Sequence, residues 1–140
     1  MYTYKQFSNK YVVSLQNRQE ISRAITAFCR ERDIKAGTVS GLGAVDEAVL
    51  RFFDPAAKKY VDKTFSEQLE ISNLTGNISS KDGEVYLHLH ATLGRSDYSA
   101  LAGHLLSAVL NGAGELVIEK FDGEIDRYYD DNSGLNLYKF

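Results

Sequence analysis

Cysteine and proline are almost missing from this chain: each occurs once in 140 residues. A single cysteine excludes an intramolecular disulfide. Cys29 falls inside a helical pattern, where it reads as a small apolar core residue. The one proline, Pro55, follows Asp54, and Asp54-Pro55-Ala56-Ala57-Lys58-Lys59 reads as a turn with proline at its second position. Long apolar runs are missing too. Nothing approaches the roughly 18–20 residues that span a bilayer as a helix. Met1-Tyr2-Thr3-Tyr4-Lys5-Gln6 carries no apolar core of a secretory signal. The expectation is a cytoplasmic protein with no membrane partner. Without a secretion signal, the glycosylation sequon Asn77-Ile78-Ser79 carries no weight.

Runs of positive charge are absent as well. Lys and Arg number 16 against 19 Asp and Glu, a net charge of −3. Lys58-Lys59 and Arg30-Glu31-Arg32 are the densest basic spots. Proteins that live on phosphate contacts show a basic face or tail, whereas these spots read as solvated surface. No Gly-x-x-x-x-Gly-Lys-[Ser/Thr] loop cradles a nucleotide phosphate, and Gly41-Leu42-Gly43 lacks the third glycine of a dinucleotide fingerprint. No serine sits in a Gly-x-Ser-x-Gly elbow. A Ser-His-Asp triad stays open at this point, because geometry and not order defines it.

What is present is an ordinary globular composition, 44% hydrophobic and 25% charged. The length suits one domain, residues 1–140, with a real core. Tyr11 to Leu15 alternates like a strand. Asn17 and Glu20 have the spacing of a capping box with Asn17 as the cap. Ile21, Ala24, Ile25 and Phe28 then recur at helical spacing, predicting a helix to Arg32.

Beyond it the period becomes two. Strands are expected over Ala36 to Leu42, Val45 to Phe53, Tyr60 to Phe65, Leu69 to Ser80, Val85 to Leu93 and Gly112 to Phe121. The glycines at 41 and 43 suit a bulge or a tight approach. Asp82-Gly83 is a strong hairpin signal. Ser96 to Asn111 reads as less regular, and acidic Asp122 to Ser133 as a loop or loose tail. Leu135, Leu137, Tyr138 and Phe140 are apolar enough to dock as a last short strand. The sum is an α+β domain: a mainly antiparallel sheet of about seven strands with one main helix.

The chemistry concentrates in the only three histidines. Leu87-His88-Leu89-His90-Ala91 places two imidazoles on one strand face, with Cα atoms about 6.6 Å apart. Side chains that lean together close that gap onto one ion at about 2.0–2.1 Å per Zn–N bond. His104, preceded by a glycine that lets backbones approach, would complete a three-histidine site with one tetrahedral position open. The plainer alternative has His88 and His90 filling a strand face, each satisfied by a backbone carbonyl. Glu70, Glu115 and Glu119 lie in strand patterns. They are candidates for a fourth ligand or a general base, against the plainer reading of solvent-facing strand residues.

Several segments occur in a recognisable order: Ser40-Gly41-Leu42-Gly43-Ala44-Val45, Phe52-Phe53-Asp54 with Tyr60, Leu69-Glu70-Ile71-Ser72-Asn73-Leu74-Thr75-Gly76-Asn77-Ile78, Leu87-His88-Leu89-His90-Ala91-Thr92-Leu93, Gly103-His104-Leu105 and Glu115-Leu116-Val117-Ile118. The chain thereby resembles the PPC (plants and prokaryotes conserved) domain family over nearly its whole length. The resemblance implies an α+β fold around an antiparallel sheet, assembly as a homotrimer, and a divalent-metal site, usually taken as zinc, at His88, His90 and His104. Ala102 stands where the family commonly has the first glycine of Gly-Gly-His-Leu. Plant members bind DNA through an AT-hook, an Arg-Gly-Arg-Pro segment, and the lone Pro55 behind Asp54 excludes one here. The segment that contacts transcription factors in plants falls near Glu67 to Ser72, where only Glu70 and Ile71 match. The expected function is a metal-binding homotrimeric module of unassigned ligand. A DNA-binding or transcription-associated role, resting on the family label, is the alternative, and a metal-dependent enzyme is a third.

Overall fold

In the segment Lys10–Leu15, Tyr11, Val13 and Leu15 are buried and the residues between them exposed, as the two-residue period of a strand demands. The computed structural model describes every residue from Met1 to Phe140. The elements in chain order are β1 (Tyr2–Phe7), β2 (Lys10–Leu15), α1 (Ile21–Glu31), β3 (Gly37–Asp54), β4 (Lys59–Phe65), β5 (Leu69–Lys81), β6 (Glu84–Gly94), β7 (Ala100–Lys120), β8 (Asp126–Asp130) and β9 (Leu135–Lys139). The fold is α+β with one helix, and it has nine strands where about seven were expected.

The helix buries Ile21, Ala24, Ile25, Phe28 and Cys29, the three-and-four spacing of one helical face. Tyr2, Tyr4 and Tyr11 meet the Phe28 ring edge-on at centroid distances of 5.3, 5.4 and 5.2 Å. The cap differs from the expected one. Glu20 ends the non-helical chain, and its carboxylate accepts from the N–H groups of Ser22 and Arg23 at 2.9 and 2.8 Å. It also accepts from the Ala108 N–H of β7 at 3.2 Å. Asn17 instead takes the N–H groups of Arg18 and Gly112, both at 3.0 Å. The reason lies in the sheet. Glu20 bridges Val109, so the chain stays extended through that residue and the helix starts after it.

Four strands close on themselves. β3 pairs with β5, β5 with β6, β6 with β7, and β7 again with β3, all antiparallel. β2 extends the second half of β7, β1 extends β2, and β4 extends the second half of β3. β8 joins β5 in parallel through Ser80 and Asp126, and β9 pairs with β8. A core of 25 buried residues fills the interior, with α1 packed on β6 and β7.

Two expected strands, Ala36 to Leu42 and Val45 to Phe53, are one bent strand, β3. A bulge between Gly41 and Gly43 carries it past β5, and further shifts against β7 occur near Val45 and Val49. The stretch Ser96 to Asn111, read as irregular, mostly belongs to the long β7. Each register shift flips the inward-outward phase, which hides the two-residue period in the sequence. β1 shows no inward-outward alternation, because it is an edge strand with almost every residue exposed. The acidic tail contains β8, and the apolar C-terminus docks as β9 as expected.

Candidate metal centre

The hairpin between β5 and β6 sets the register of the site. Asp82 and Gly83 have φ of 53° and 79°, the pair of positive angles that a two-residue type I′ turn needs. Counting back from the turn, His88 falls opposite Asn77 and His90 opposite Thr75. Leu89, Ala91 and Leu93 point into the core, so alternation turns Tyr86, His88 and His90 to the opposite face. β7 then places His104 directly opposite His90, and β3 places Arg51 opposite His104. Gly103 is not required for this approach, since a Cβ there would meet its nearest neighbour, the Arg51 carbonyl oxygen, at an ordinary 3.6 Å.

The three imidazoles face one another. One potential ligand atom from each lies within 4.8 Å of the others. The Nε2 atoms of His88 and His90 are 3.3 Å apart. Ring centroids stand 5.2 Å apart for His88 and His90, 5.1 Å for His88 and His104, and 5.5 Å for His90 and His104. Two nitrogens bound to one tetrahedral zinc at about 2.05 Å are themselves separated by about 3.3 Å. The donor set therefore fits a single ion without rearrangement of that pair.

Electrostatics prepares the same nitrogens. Burial, then the neighbouring His88 and His90, pushes the His104 pKa down to about 4. Burial also lowers His88, helped by His90 and by Arg127. Both rings are thus neutral near pH 7, with lone pairs free to ligate. Arg51 grips Asp62 through two hydrogen bonds of 2.9 Å, which holds the carboxylate below its usual range. The Arg51 guanidinium also lies 4.6 Å over the Tyr60 ring, and that ring stands 5.5 Å from His104.

A cavity of about 600 Å³ opens over the histidines, walled by Phe53 and Tyr60 from one hairpin and by Arg127, Leu135 and Leu137 from β8 and β9. No aspartate or glutamate lines it. A larger hollow of about 740 Å³ lies on β1, β2, β3, β5 and β7 and contains none of the histidines.

The structure thus brings His88, His90 and His104 together, and leaves the three glutamates elsewhere. Glu70 is exposed opposite Gly94. Glu115 is exposed beside the other hollow. Glu119 accepts from Asn9 at 3.2 Å and faces Lys10 at 3.7 Å. Cys29 is buried in the core with its thiol pushed up to about 12 by burial, so it is no ligand. Sequence reasoning missed Arg127. It is only 8% exposed, and its one sequence signal is that it is the lone cation in the acidic segment Asp122 to Ser133.

A family model described as the Plants and Prokaryotes Conserved (PCC) domain matches residues 2–122. Among solved structures, a "putative DNA binding protein" from Bacteroides thetaiotaomicron is 60% identical, with a TM-score of 0.98 over 100% of this chain and 98% of that one. A metal-containing protein from Archaeoglobus fulgidus is 33% identical, with a TM-score of 0.89 over 100% of this chain and 99% of that one. A plant- and prokaryote-conserved protein from Pyrococcus horikoshii is 25% identical, with a TM-score of 0.87 over 100% and 95%. No curated protein matches the chain.

Proposed function

The chain belongs to the Plants and Prokaryotes Conserved domain family, and from that membership we propose that it is a metal-binding homotrimer. Its centre, His88, His90 and His104, holds one divalent cation, zinc, with a fourth position open to a small ligand. The observation that carries the reading is the convergence of three imidazole donors within 4.8 Å. An all-imidazole set with no thiolate suits zinc, and the similarity to a metal-containing archaeal protein supports it. Bound there, zinc supplies a Lewis-acidic, exchangeable position. Burial keeps the His88 and His104 rings neutral and ready to ligate, and Phe53, Tyr60 and Leu137 wall the cavity over them.

The trimer is supported by family membership and by apolar surface. Val12, Leu42 and Val117 are 48, 55 and 41% exposed and line one hollow. Contiguous apolar surface of this kind marks interaction sites. A cytoplasmic location agrees with a single free cysteine.

DNA binding is the second reading, favoured by the description of the Bacteroides relative. Charge argues against it, since acids outnumber bases 19 to 16. A metal-dependent enzyme is the third reading, but no carboxylate lines the cavity to act as general base.

Elemental analysis of the purified protein tests the proposal. One equivalent of zinc per chain is expected, lost in the His88→Ala/His90→Ala variant. A full equivalent retained by that variant would place the metal elsewhere. Sedimentation equilibrium tests the assembly, and a monomer at micromolar concentration ends the trimer reading.

A further inference from the structure

Arg127 has a charge that nothing in the chain neutralises. Its side chain is nine-tenths buried, at 8% exposure. Nε donates to Ser79 Oγ at 2.7 Å and Nη1 donates to the Asn136 carbonyl oxygen at 2.8 Å. Both acceptors are neutral. The rings of Tyr86 and Tyr138 lie 4.7 and 4.2 Å from the guanidinium carbon. None of the ion pairs in the structure includes this residue. Buried charges are ordinarily paired, because removing an ion from water costs far more than neutral hydrogen bonds return. Arginine carries five N–H donors, and only two of those N–H groups are engaged here.

The location points to the missing partner. Arg127 lines the same cavity as the three histidines. It stands over Tyr86, which shares the outward face of β6 with His88. Tyr86 and His88 are two residues apart on that strand, about 6.6 Å between their Cα atoms, so the guanidinium and the imidazoles line neighbouring parts of one cavity. The other cation on the wall, Arg51, is already gripped by Asp62. The cavity of about 600 Å³ has the size of a small-molecule site and aromatic and aliphatic walls.

We propose that this cavity binds a small organic carboxylate, with the carboxylate on the Arg127 guanidinium and a second oxygen turned toward the histidine centre. A planar guanidinium fork matches a carboxylate. One uncommitted guanidinium among aromatic rings suits a monoanion better than a phosphate dianion, which asks for more donors. The second contact rests on the histidines holding a metal, while the first depends on Arg127 alone. Residues 126–139, which supply Arg127 and Asn136, lie beyond the region matched by the family model.

The test is calorimetric titration with L-lactate, its neutral analogue lactamide, and inorganic phosphate, on zinc-replete and chelator-stripped protein. Zinc content is measured in every sample. L-lactate should saturate the zinc-replete protein with a Kd below about 1 mM. Lactamide, phosphate and the Arg127→Gln variant with lactate should each give binding at least about tenfold weaker, as expected on losing a charge-assisted pair. The variant should keep its zinc. Stripped protein should still prefer lactate to lactamide. Equal binding of lactate and lactamide, tighter binding of phosphate, or unimpaired lactate binding by Arg127→Gln overturns the proposal. The wild-type comparison of lactate with lactamide decides the matter even if the variant does not fold. The failures separate cleanly. Arg127-dependent lactate binding without any zinc uptake sinks the metal reading alone, and a full zinc equivalent without lactate preference sinks this proposal alone.

Discussion

Gly76 of β5 lies so close to His88 of β6 that a Cβ on it would stand 2.4 Å from the His88 carbonyl oxygen. The neighbour is backbone, held in the β5–β6 ladder, and cannot swing aside. The glycine is thus what lets β6 sit where its histidine meets the other two.

Replacing Gly76 with alanine should therefore displace β6 at the site. The expected cost is about 1–3 kcal/mol, as for overpacking in a filled interior. Chemical denaturation measures it, and zinc content of the folded variant should fall with it. Wild-type stability and full zinc in Gly76→Ala would show that the two strands separate freely there.

Stability of the metal-free protein should depend on pH between about 6.5 and 4. An unfolded histidine titrates near 6.5, whereas folded His104 sits at about 4 and His88 is also lowered. In that window the unfolded chain binds more protons than the folded one, so acid favours unfolding. The contribution is whole above the unfolded value, is lost as pH falls through the window, and levels off below the folded value. Carboxylates held low by partners, Asp62, Asp97 and Asp130, act beneath it. Thermal melts of wild type and His104→Asn across the window should show a shallower slope in the variant. Parallel slopes would refute the argument.

Helix capping gives a contrast between two neighbours. Glu20→Ala removes a carboxylate that satisfies Ser22, Arg23 and Ala108, and should cost about 1–2 kcal/mol, as helix caps do. Asn17→Ala leaves the helix N–H groups satisfied and unties Arg18 and Gly112 instead. Circular dichroism should show helix loss in the first variant only. Equal helix loss in both would restore Asn17 as the cap.

Duplex DNA should bind weakly at physiological salt. Phosphate contacts through Lys and Arg dominate the affinity of DNA readers. Here the net charge is −3, which repels DNA at long range, and the proposed trimer would carry three times that charge. Submicromolar binding to any duplex at about 150 mM salt would mean that residues distant in sequence, such as Lys58, Lys59 and Lys63, build a basic face.

The helix, the Asp82-Gly83 turn and the shared face of His88 and His90 were legible from residue order. Each depends on local covalent geometry: a period of 3.6 or of two, or a pair of positive φ angles. The α+β class and the family resemblance were legible too. The single strand β3, the full length of β7 and the cap at Glu20 were not, since bulges reset the alternation and a sheet bridge delayed the helix.

What the sequence determined by itself was that two imidazoles stand on one side of a strand, with a third nearby in the chain. That follows from alternation and needs no tertiary contact. Only the tertiary structure decided that His104 lies opposite His90. That pairing depends on how β7 is registered against two neighbours through several bulges, and a slip of one residue would turn His104 to the other face. The tertiary structure likewise decided that Arg127, 23 residues beyond His104, returns to the cavity. It arrives because the single parallel pair of Ser80 with Asp126 docks β8 beside β5. No local periodicity in an acidic segment encodes such a long-range contact.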